Sequence, residues 1–70
     1  MHTQFGEISF NIKNNVITAE TEDNTLGGSD IEMAMQNYLY QNPDGGKFGQ
    51  NEVQRAEYFK DENIWSALIF

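Results

Sequence analysis

A chain of 70 residues without cysteine holds one domain at most, residues 1–70, with neither a disulfide nor a thiolate metal site to brace it. Eleven acidic residues against four lysines and arginines give a formal charge of −7 and a pI near 4.2. That balance argues against direct binding to nucleic acid or to an anionic membrane, both of which need basic contacts.

Aromatic residues make up 13% of the chain, enough bulk for a compact core, so the composition is that of a folded protein despite a mean hydropathy of −0.62. No apolar run approaches transmembrane length. Met1-His2-Thr3-Gln4 lacks the basic and apolar regions of a secretory leader, and an intracellular, cytoplasmic protein is the expectation.

The first element is a β-hairpin spanning 4–12 and 16–22. Gly6, Ile8, Phe10 and Ile12 share one parity, and Glu7, Ser9, Asn11 and Lys13 the other, which is the alternation of a half-buried strand. Asn14-Asn15 suits a two-residue turn because asparagine tolerates the positive φ that such turns require. That turn sets Lys13 opposite Val16, Ile12 opposite Ile17, Phe10 opposite Ala19 and Ile8 opposite Thr21. On the other face it sets Ser9 opposite Glu20 and Glu7 opposite Glu22. Like charges directly across a strand pair destabilise it by up to about 1 kcal/mol. Frayed strand ends screened by salt explain this blandly. The sharper reading is an anionic patch of Glu7, Glu20 and Glu22 kept for a cationic partner.

A helix over about 30–41 follows the Gly27-Gly28 loop. Ser29 with Glu32 forms a capping-box signature, and Ile31, Ala34, Met35, Tyr38 and Leu39 form the apolar stripe. Met33 and Tyr40 point away from that stripe. Exposed methionine and tyrosine are enriched at interfaces, although single exposed apolar residues are ordinary. Asn42-Pro43 stops the helix, Pro43-Asp44-Gly45-Gly46 turns the chain, and Phe48 anchors the loop.

Asn51 with Gln54 repeats a capping signature, and Val53, Ala56 and Phe59 at helical spacing predict a second helix over about 51–60. The stretch 64–70 reads either as a continuing helix, giving a ββαα order, or as a strand. Its β-rich composition selects a strand joining the sheet, because a two-stranded hairpin is marginal alone. Ile64, Leu68 and Phe70 are then expected inward, with Trp65 and Ile69 on the outer face near the glutamates. The competing placement packs Trp65 under the 43–50 loop. The fold class is thus α+β, a small single domain of hairpin, two helices and a C-terminal strand.

Chemistry is sparse. His2 is the sole histidine, and no catalytic residue, cofactor or metal site is expected. Residues 23–34 fail as a calcium loop, because Ala34 stands where a glutamate is required. An enzyme would need a carboxylate-only mechanism. The candidate partner-binding residues are Glu7, Glu20, Glu22, Trp65, Ile69, Met33 and Tyr40. In size and charge the chain is similar to small inhibitors carried by phages and mobile elements, including anti-restriction and anti-CRISPR proteins, and to acidic nuclease-immunity proteins. The similarity implies a basic partner, a nucleic-acid-handling enzyme or complex, whose phosphate-binding surface the carboxylates occupy. The alternative is a structural or assembly subunit that forms a homodimer through an edge strand.

Overall fold

The computed structural model describes residues 2–41 and 52–70. Over these residues the fold is α+β: a two-stranded ribbon, a four-stranded antiparallel sheet and one helix. The ribbon pairs β1 (His2–Thr3) with β2 (Gly6–Glu7). The sheet contains β3 (Ser9–Lys13), β4 (Val16–Glu20), β5 (Glu57–Phe59) and β6 (Ile64–Leu68), in the spatial order β3-β4-β6-β5. Between β4 and β5 in the chain comes α1 (Gly28–Gln41).

The first hairpin of the sheet has the expected register. Ser9 lies opposite Glu20, Phe10 opposite Ala19, Ile12 opposite Ile17 and Lys13 opposite Val16. Asn14 and Asn15 both have positive φ, 53° and 62°, the conformation a primed two-residue turn demands. Pairing stops at Ser9, however. Ile8 is buried and lies between the ribbon and β3, and Glu7 pairs with His2 across the ribbon rather than with Glu22. The expected strand 4–12 is therefore two short strands that turn at Ile8. Gly6, at a φ of 98°, closes the ribbon, where Thr3 Oγ1 donates to the Gly6 carbonyl at 2.8 Å and accepts from the Phe5 N–H.

The helix buries Ile31, Ala34, Met35 and Leu39, as its stripe requires. It begins earlier than expected. Gly27 is the cap residue: its carbonyl accepts from the Ile31 N–H at 3.1 Å, and Asp30 Oδ2 accepts from the Gly27 N–H at 3.1 Å. Asp30 thus fills the reach-back role that the sequence assigned to Glu32, and Gly27 rather than Ser29 is the cap.

The expected helix over 51–60 is absent; Asn51 lies outside the described residues, and 52–59 is extended. Glu52 exchanges backbone hydrogen bonds with Phe70, Val53 bridges Ile69, and the Gln54 N–H donates to the Leu68 carbonyl at 2.8 Å. Further on, Glu57 pairs with Ser66. Arg55 and Ala56 together therefore oppose Ala67 alone, a β-bulge. The bulge puts two residues rather than one between successive inward positions, Val53 and Ala56, and this i, i+3 spacing imitates one turn of a helical stripe. The turn at 43–46 and the Phe48 anchor lie outside the described residues.

The C-terminal strand is present and central in the sheet, but its faces are the reverse of those expected. Rows of directly paired residues fix this. Phe10, Ala19, Trp65 and Tyr58 form one row across all four strands, and Ile12, Ile17 and Ala67 form the next. Ile17 and Ala19 are buried, so this is the helix side. Trp65, Ala67 and Ile69 point inward, and Ile69 is only 5% exposed, whereas Leu68 and Phe70 are 52% and 64% exposed. The physical reason is fit. Small Ala19 sits opposite large Trp65, and small Ala67 opposite Ile17, which leaves room for Ile31, Met35 and Leu39 of the helix above them. Phe10 also stacks on Tyr38 of the helix, with centroids 4.6 Å apart.

Candidate functional site

One end of the sheet gathers negative charge from three parts of the chain. The ribbon contributes Glu7. The end of β4 and the residues after it contribute Glu20, Glu22 and Asp23. The loop between β5 and β6 contributes Glu62. All five line a single open cavity of about 670 Å³, lined also by Phe5, Gly6, Ser9, Thr21 and Asn63, and among the described residues no lysine or arginine lines it. Strand ends and turns are where charged side chains reach water, so local structure puts each carboxylate at the rim. The topology then brings the rims together.

Glu7 is held below its ordinary value of 4.5 chiefly by a hydrogen bond to the chain's N-terminal amine, and further by His2, whose Nδ1 lies 3.4 Å from Glu7 Oε1. Among the described residues, Glu20, Glu22, Asp23 and Glu62 have no basic partner. Asp23 is held below its ordinary value of 3.8 chiefly by the Thr25 hydroxyl, which donates to Asp23 Oδ1 at 2.5 Å, and then by the Thr25 N–H at 2.9 Å. It is therefore anionic at neutral pH. Among the described residues no three histidine, aspartate or glutamate side chains are placed to hold a metal ion.

The structure brings together some of the sequence-derived candidates and separates others. Glu7, Glu20 and Glu22 line the same cavity, although Glu7 and Glu22 are not cross-strand partners. Trp65 is near them but on the helix side of the sheet, in an adjoining pocket of about 240 Å³ with Leu26 and Tyr58. Any contact of Trp65 with the 43–50 loop lies outside the described residues. Ile69 is buried in the core rather than on the outer face, and its amide donates to the Asn15 carbonyl at 2.9 Å. Met33 and Tyr40 are exposed on the helix, 51% and 60%, and line neither cavity; Met33 Sδ accepts from Gln4 Nε2.

Sequence reasoning missed Asp23, Glu62 and Tyr58. The signal for the last two was present in Lys60-Asp61-Glu62-Asn63, a polar run between two β-rich stretches and therefore a hairpin loop. Asn63 has a φ of 55°, the conformation asparagine tolerates in such loops. No protein-family model, curated protein or solved structure matches the chain.

Proposed function

We propose that this chain is a small acidic protein-interaction module that occupies the basic, nucleic-acid-binding surface of a partner protein, as an inhibitor of the kind carried by phages and mobile elements against restriction or CRISPR systems. The observation that carries the reading is the convergence of five carboxylates from three chain segments on one concave surface with no lysine or arginine among the described residues of its lining. Gathering like charge costs stability, and a surface kept only for solubility gains nothing by concentrating it. Carboxylates so placed present the charge of phosphates without their sugar and base.

Capture of partners from a nuclease-treated lysate, followed by a salt series on the complex, tests this. Affinity should fall steeply with salt. Glu20→Lys with Glu62→Lys should weaken binding by tenfold or more, while Met33→Ala with Tyr40→Ala leaves it within about twofold. Affinity flat across the salt series rejects the electrostatic mechanism.

A second reading, a homodimer or assembly subunit, draws on β5, an edge strand among the described residues, and on the outer sheet face, where Phe59, Leu68 and Phe70 are exposed. Sedimentation at several concentrations separates the two readings, because a strict monomer eliminates the second.

A further inference from the structure

The pocket beside the carboxylates has different chemistry. Leu26, Tyr58 and Trp65 wall it, and Thr21, Asp23 and Asn63, which also line the acidic cavity, join the two spaces. At about 240 Å³ it falls below the several hundred Å³ of a small-molecule site and suits one long side chain.

Its rings are positioned in advance. Tyr58 Oη donates to Asn63 Oδ1 at 2.6 Å, tying the half-exposed ring across its own hairpin loop. The Tyr58 and Trp65 rings lie 5.0 Å apart, tilted by 43°. Trp65 packs its Cζ3 edge near the start of the helix, where a Cβ on Gly28 would lie 3.7 Å away. On the rim, Asp23 Oδ1 is taken up by Thr25, while Oδ2 has no hydrogen-bond partner among the described residues.

We infer that this pocket takes an arginine side chain presented by the partner protein, its guanidinium lying against the Tyr58–Trp65 pair and donating to Asp23 Oδ2. The inference rests on the acidic-surface reading and names the residue that reading leaves open. Charge complementarity selects a cation, since every charged residue among the described residues lining either cavity is acidic. The aromatic walls then select arginine over lysine. A planar, weakly hydrated guanidinium stacks on a ring and still presents N–H groups in its plane, whereas an ammonium is compact and strongly hydrated.

Trp65 is the sole tryptophan in the sequence, so its emission reports on the pocket. Hexa-arginine, hexalysine and hexacitrulline peptides are titrated into the full chain. Hexa-arginine should change Trp65 emission and bind about two- to fivefold tighter than hexalysine, with hexacitrulline inert. Tyr58→Leu should abolish the preference for arginine and leave hexalysine affinity unchanged. Should that variant fail to fold by circular dichroism, Asp23→Asn replaces it and should at least halve the preference. Equal binding of the two cationic peptides with unaltered Trp65 emission overturns the inference and leaves the acidic surface standing. Failure of both cationic peptides to bind overturns the two together.

Discussion

Gln36 on the helix and Val53 in the extended stretch before β5 are joined by a hydrogen bond, the Val53 N–H donating to Gln36 Oε1 at 2.9 Å. This amide faces the helix because Val53 meets Ile69 only at an isolated bridge, while its neighbours Glu52 and Gln54 take the backbone bonds of Phe70 and Leu68. Gln36→Leu leaves a half-buried N–H without its acceptor and should cost about 1–2 kcal/mol. Gln36→Glu keeps an acceptor oxygen and should cost less. Denaturant melts give the difference, and amide exchange at Val53 should speed up in the leucine variant alone.

The facing of the last strand gives a sharp contrast between neighbours. Ile69→Ala removes a buried side chain and should cost about 2–5 kcal/mol. Leu68→Ala, on the open outer face, should stay within about 0.5 kcal/mol. Reversed magnitudes in thermal or urea unfolding would restore the facing that the sequence suggested.

Helix capping gives a second contrast. Asp30→Ala removes the acceptor for the Gly27 N–H and should cost about 0.5–2 kcal/mol. Ser29→Ala removes a hydroxyl that caps nothing and should cost under about 0.5 kcal/mol. Circular dichroism melts of the two variants decide which residue starts the helix.

Asp23 carries a pH dependence of defined sign. Its folded-state pKa is depressed, first by the Thr25 hydroxyl and then by the Thr25 amide. Its contribution to stability is therefore present above its ordinary value of 3.8 and is lost as pH falls through the lower, folded value. Thr25→Val keeps the amide bond and removes the hydroxyl, so the Asp23 carboxyl should titrate higher, toward 3.8, in an NMR titration. An unchanged midpoint means the hydroxyl bond is not formed in solution.

Local chemistry made part of this fold readable. Asn14-Asn15 set a turn and the turn set a register, so Ile12 met Ile17 and Phe10 met Ala19 as the alternation requires. The helix stripe was equally plain, since Ile31, Ala34, Met35 and Leu39 leave no other buried face. Competing patterns hid the rest. The bulge at Arg55–Ala56 gave an extended strand the spacing of a helix. In the last strand both parities are bulky and apolar, and only the small partners Ala19 and Ala67 decide which side the helix can cover. The candidate site was half visible. Glu20 and Glu22 follow from the hairpin, but Glu62 joins them only once 57–68 is recognised as a second hairpin, which depends on long-range pairing.

Putting β6 between β4 and β5 has a kinetic side. Ile17 finds its second cross-strand neighbour only at Ala67, and the two β-hairpins of the sheet share no ladder until β6 docks beside β4. The first hairpin and the helix are therefore synthesised before the strand that completes the layer beneath them. While the ribosome is still at work, the nascent chain exposes Ile17 and Ala19 along an unfilled strand edge. Closing so large a loop makes folding slower than for a helical bundle of the same length, and that interval is when the chain is most open to chaperones and to aggregation.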